Sequence, residues 1–196
     1  MRIKNFFKKN YSKSWDFLKD SKNYLYFIVI VFFIFLLIGF FLPAPQSISE
    51  RIMQFIQNIL EKTKGMNFFQ LGKFIFLNNL EVGFFGIILG IFLGVFPFLI
   101  CMTNAYLLGF VASLSVQSDG ILSLWRIFPH GIFEIPAIFI SLALGMRLGL
   151  YTFFADKKTS FKKDFFNSLR VFFFIIMPLL IIAAIIEAGF IFFLRN

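Results

Sequence analysis

The chain is 196 residues long, 59% hydrophobic and only 15% charged, with a net charge of +9 and a mean hydropathy of +0.85. A soluble globular domain carries roughly a quarter of its residues charged, so this balance excludes one and points to an all-α, polytopic membrane helix bundle. One cysteine, Cys101, and one histidine, His130, exclude an internal disulfide and the usual zinc ligand sets, and no metal or other cofactor is expected.

Residues 1–23 form a basic tail carrying Arg2, Lys4, Lys8, Lys9, Lys13, Lys19 and Lys22. An uncharged run, 24–42, follows and is long enough at 1.5 Å per residue to cross roughly 28 Å of hydrocarbon. It is too long for the apolar region of a signal peptide, and Pro45 after Ala44 is a poor cleavage context, so the sequence predicts a retained anchor. Pro43 and Pro45 should stop that helix and open the one substantial polar segment, 43–79. Within it Ile48, Ile52, Phe55, Ile56, Ile59 and Leu60 recur at helical spacing opposite Glu50, Gln54, Gln57 and Glu61, which predicts an amphipathic helix lying on the membrane or on the bundle. Gly65 should end it.

Further spans are expected at 82–101, 105–118, 131–154 and 171–194, giving about five crossings, of which 105–118 is shorter than a crossing normally needs. The loop before the last span carries Lys157, Lys158, Lys162, Lys163 and Arg170. Cytoplasmic segments keep an excess of Lys and Arg, and only an odd number of crossings puts this loop and the basic tail on one side. The expected location is therefore the plasma membrane, multi-pass, with a cytoplasmic N-terminus, an extracytoplasmic C-terminus and the 43–79 segment outside. The cations flank spans, so anionic membrane lipids explain them better than nucleic acid does. The 34 Phe, in a chain also rich in Lys, Ile and Asn, read as a coding bias at lipid-facing positions.

Polar groups inside hydrocarbon are costly and usually face the bundle interior. Helical rise places Glu134 roughly 5 Å inside the fourth span and Glu187 roughly 24 Å along the fifth, which runs the other way, so both reach one level. Asn78, Asn79, Glu81, Arg126 and His130 share that level. His130 and Glu134, four residues apart, can hold a proton or ion, or can simply cap the helix entry behind Pro129. Glu187 should find a partner on another span. Arg147 is expected to snorkel to the cytoplasmic interface. Gly83, Gly86, Gly90 and Gly94 clear one face of the second span for close helix approach, within this chain or in a homo-oligomer. Pro97, Pro136 and Pro178 each withdraw a backbone donor and should bend their helices.

Several of these residues form a recognisable set: Phe76-Leu77-Asn78-Asn79, the glycine-spaced span, Asn104 with Gly109, Pro129-His130-Gly131-Ile132-Phe133-Glu134-Ile135-Pro136-Ala137, Gly145-Met146-Arg147-Leu148-Gly149, and Ile186-Glu187-Ala188. Together they resemble the stage II sporulation protein M family over about residues 71–190, with a departure at Ala105, where that family usually shows glycine. The resemblance implies a five-span protein which, in spore-forming bacteria, anchors a cell-wall remodelling complex containing a lytic transglycosylase and an amidase. The function expected here is a non-enzymatic scaffold for an extracytoplasmic or membrane protein partner. The alternative is a small transporter or channel using His130, Glu134 and Glu187 for a cation or proton. An intramembrane hydrolase is disfavoured, because one His and two Glu make a thin ligand shell and no nucleophile accompanies them.

Overall fold

A computed structural model describes the backbone of residues 2–42, 44–126, 131–154 and 160–195, and all of their side chains except those of Arg2, Arg126, Thr152, Phe154, Leu194 and Arg195. Pro129 and His130 lie outside the described residues. The described chain is helical, in the order α1 (Arg2–Asp20), α2 (Lys22–Phe41), α3 (Gln46–Thr63), α4 (Phe68–Ile88), α5 (Val95–Asp119), α6 (Glu134–Gly149), α7 (Tyr151–Phe154), α8 (Phe161–Val171) and α9 (Met177–Arg195). Among the described residues four rods are long and apolar enough to cross a membrane: Lys22–Phe41, Phe68–Ile91, Val95–Asp119 and Phe161–Phe193. This is a helical membrane bundle.

The basic segment expected as a tail is itself helical, and α1 packs along α8. Two expected span boundaries are corrected. The uninterrupted apolar run 82–101 is a hairpin in disguise: α4 runs on through the 3-10 turn Leu89–Ile91, and the chain reverses at Leu93 and Gly94, both in the left-handed region at φ 54° and 73°. Leu93 pays a small steric penalty there, on the order of 1 kcal/mol. Gly94 pays none, and its N–H closes the turn on the Gly90 carbonyl at 2.8 Å. The segment 105–118 is therefore no short span, because its helix begins at Val95 and has 25 residues, about 37 Å of rise.

Shortness belongs instead to the segment expected at 131–154, whose helix α6 has 16 residues, about 24 Å. It is the axis of the bundle. Ala137, Ile138, Leu142, Ala143, Leu144, Met146 and Leu148 are all buried, and α2, α4, α5 and α9 surround it. That enclosure, and not apolarity alone, sets α6 apart, since an all-apolar helix is equally suited to lipid. The lipid-facing surface is left to the outer rods, with Phe33, Phe41 and Phe173 exposed.

Only one of the three prolines perturbs its helix as expected. Pro97 and Pro136 sit in the first turns of α5 and α6, where a backbone N–H has no intrahelical partner to lose. Pro178 lies in mid-rod, and just before it the helix widens into a π-type segment, Phe172–Ile176. That widening keeps α8 and α9 in one continuous 33-residue rod.

The glycine face of α4 is consumed within the chain. A Cβ on Gly145 of α6 would overlap the Gly86 carbonyl oxygen, and one on Gly149 would overlap the backbone of Gly90 and Gly94. Gly83 faces Ser141, and Gly86 faces Leu142. A second close crossing joins α2 to α5, where Gly39 lies on the Tyr106 carbonyl and Gly109 on the Leu36 carbonyl. Glycine on both helices lets backbones touch, which is how membrane helices gain packing energy without a hydrophobic drive. α3 behaves differently. Pro45 precedes it, Gly65 at φ 81° follows it, and it makes few contacts with the other helices.

Candidate functional site

Polar side chains gather at both ends of α6, in two clusters of opposite chemistry. At its start Glu134 is the first helical residue, where the helix dipole and free N–H groups favour a carboxylate. Its carboxyl group is hydrogen-bonded to the carboxyl of Glu187 on α9 and to the side chain of Asn79 on α4. Asn79 is buried and also accepts a long, 3.4 Å bond from the Asn78 amide. Two carboxyl groups can share a hydrogen bond only if one of them carries a proton.

Small residues bring Glu187 to this place. Ala184 and Ala188 are buried against Leu71 and Ile75 of α4, and Gly72 faces Ala188, so α9 lies close on α4 from one turn before Glu187 to the residue after it. The layer expected from helical rise therefore exists in part: Glu134, Glu187 and Asn79 meet, with Asn78 at its edge. Glu81 is exposed and does not join them. The side chains of Arg126 and His130 lie outside the described residues, and Gly131 is half-buried beside Ile135.

At the other end of α6 the expectation for Arg147 is overturned. Rather than snorkelling, its guanidinium turns inward, 13% exposed, and Nε donates to Asp164 Oδ2 at 3.0 Å while the Asp164 side chain is 4% exposed. Nη1 donates to Ser21 Oγ at 2.9 Å, and the guanidinium carbon lies 4.2 Å from the centre of the Phe17 ring. Ser21 in turn donates to the Phe17 carbonyl at 2.8 Å, and Ser168 to the Asp164 carbonyl at 2.9 Å. The reason is local electrostatics: Arg147 occupies the last turn of α6 and Asp164 the first turn of α8, so each charge also suits its helix dipole. A partnered guanidinium with aromatic stacking loses less by leaving water than a bare one.

Asp164 was not singled out from the sequence, because Lys162 and Lys163 beside it make the stretch read as a cationic loop. The recoverable signal was periodicity: Asp164, Ser168 and Val171 stand at i, i+4 and i+7 and are the buried residues of α8.

The remaining motif residues have separate places. Asn104 on α5 is exposed to a groove, and its amide donates to the Ile100 carbonyl at 2.8 Å. Ala105, at the departure from the family pattern, is fully buried, so the methyl group fits its site. Among the described residues no three of His, Cys, Asp and Glu lie close enough together to hold a metal ion.

No curated protein and no solved structure matches the chain. A family model described as Stage II sporulation protein M matches residues 28–190, a stretch that contains every helix from within α2 to α9 and both ends of α6. The resemblance seen in the motifs thus extends over most of the chain, which belongs to the Stage II sporulation protein M family.

Proposed function

We propose that this protein is a non-enzymatic membrane scaffold whose α3 helix presents a docking surface for a protein partner at the extracytoplasmic face. The observation that carries this reading is α3 itself. It is strongly amphipathic, only loosely applied to the bundle, and leaves Met53 and Leu60 exposed beside Ile48 and Phe55, which are partly exposed along the groove beneath the helix. Contiguous exposed apolar side chains rimmed by polar ones are the usual mark of an interaction surface. The side follows from charge: α1 packs along α8, which carries Lys162, Lys163 and Arg170, so the cations of both helices gather at one end of the bundle, and the positive-inside rule makes that end cytoplasmic. α2, α4, α5, α6 and the α8–α9 rod then each cross once, which leaves the C-terminus outside.

The experiment is site-specific photo-crosslinking in the native membrane, with the reactive group at Leu60 or Met53 and a control at Phe33 on lipid-facing α2. A discrete protein adduct from the α3 positions and not from Phe33, lost when Ile48 and Phe55 are both replaced by glutamate, supports docking. Lipid adducts alone from all three positions refute it.

The Glu134–Glu187 contact favours a second reading, a small transporter or channel that relays a proton or cation. Purified protein that acidifies liposomes, with Glu134→Gln and Glu187→Gln silent, would establish transport. Under the scaffold reading neither variant changes ion movement.

A further inference from the structure

Beneath α3 lies a groove of about 780 Å³ between α2, α4 and α5, within the size range of sites that hold most of a small amphiphile. Its walls are of two kinds. Ile38 and Val82 make an apolar flank, whereas Asn78, Thr103 and Asn104 bring amides and a hydroxyl from α4 and α5. Arg51, at the edge of the apolar stripe of α3, supplies a cation to the same groove. Helical rise puts Asn78 roughly 15 Å from the start of α4 and Asn104 roughly 14 Å from the start of α5, depths at which amides facing hydrocarbon are costly.

These atoms define what would offset that cost. The guanidinium is a donor array matched to a phosphate diester. The Asn104 amide already donates to Ile100, the Asn78 amide reaches Asn79, and the Thr103 hydroxyl donates to Leu99 at 2.9 Å. Their oxygens are left to accept from an occupant, and one N–H of each amide is left to donate. A ligand with an anionic phosphate, hydroxyl donors and a hydrocarbon tail satisfies all three demands at once.

We infer that this groove is a binding site for one anionic phospholipid with a hydroxyl-bearing headgroup, of the phosphatidylglycerol type, its phosphate on Arg51, its hydroxyls on Asn78 and Asn104, and an acyl chain along Ile38 and Val82. The inference does not rest on partner docking. A lipid here fills the space between α3 and the helices α2, α4 and α5.

The test uses the full chain in nanodiscs containing phosphatidylglycerol and phosphatidylcholine in equal amounts, followed by native mass spectrometry of the lipid retained on release. Wild type should keep phosphatidylglycerol preferentially. Arg51→Gln should lower that retention roughly tenfold or more, the loss expected for one charge-assisted contact. Lys62→Gln removes another α3 cation and should leave retention unchanged. Asn104→Leu, which keeps every charge but fills the polar wall, should also abolish the preference and guards against a misfolded Arg51 variant. Equal retention of the two lipids by wild type, or equal losses in Arg51→Gln and Lys62→Gln, would overturn the site in favour of general surface attraction.

Discussion

Where α6 finishes, a guanidinium meets a carboxylate; where it starts, one carboxyl group meets another. Arg147 and Asp164 cancel in charge, satisfy the dipoles of their helices and are locked by Ser21 and Phe17. Glu134 and Glu187 cancel nothing, and a hydrogen bond between them needs a proton. Backbone packing follows the same division. At the Arg147 end Gly90, Gly94, Gly145 and Gly149 put backbone on backbone. Toward the other end α9 meets α4 more loosely, with Gly72 at ordinary distance from Ala188, while α2 and α5 still touch through Gly39 and Gly109, and α3 and its groove lie on that half of the fold. One end of α6 is thus held by a neutralised ion pair, and the other carries the carboxyl pair and lies beside the groove under α3.

The comparison breaks most visibly at the salt bridge. Asp164→Leu strands a largely buried guanidinium and should cost about 3–5 kcal/mol, read as a lowered unfolding midpoint in detergent. The double variant Arg147→Met with Asp164→Leu should recover most of it; a double variant as unstable as the single one would show that the pair is not the source of the loss. Next in size is Gly145→Val, which drives a side chain into the Gly86 backbone and should cost about 1–3 kcal/mol or more. Gly72→Ala, by contrast, should be tolerated within about 0.5 kcal/mol, since its new methyl group meets only Ala188 at contact distance. Glu134→Gln comes third: a neutral amide keeps a donor and an acceptor toward Glu187 and Asn79, so the stability change should stay under about 1 kcal/mol. A collapse on that change would mean that Glu134 must be ionised. Smallest of all is Ser141→Ala. The Ser141 hydroxyl is buried with no hydrogen-bond partner among the described residues, so its removal should be neutral or slightly stabilising in the same assay.

Much of this division was legible in the sequence, and the exceptions have physical causes. Hydropathy marks the fold class, and rise per residue places Glu134 and Glu187 at one level because depth depends only on helix start and direction. Glycine spacing announces close packing, although only coordinates reveal α6 as its partner. The Leu93–Gly94 reversal is invisible to hydropathy, because a turn made of apolar residues adds no polar signal to an apolar run. The same blindness moved the short segment from α6 to 105–118. Arg147 read as a snorkelling cation because its partner stands on another helix amid lysines, and spacing along one helix says nothing about charge on the next. Asn78 and Asn104 carried a motif signal without a role until the groove put them on facing walls.

The most direct test of the account is proximity across the bundle. In a Cys101→Ser background, Glu134→Cys with Glu187→Cys should be bridged by dibromobimane, which fluoresces when it links two nearby thiols, within a monomer in native membranes. The pair Glu81→Cys with Glu187→Cys, one side chain of which points outward, should stay dark. Fluorescence from the second pair and not the first would contradict the convergence of α4, α6 and α9 on a shared carboxyl site.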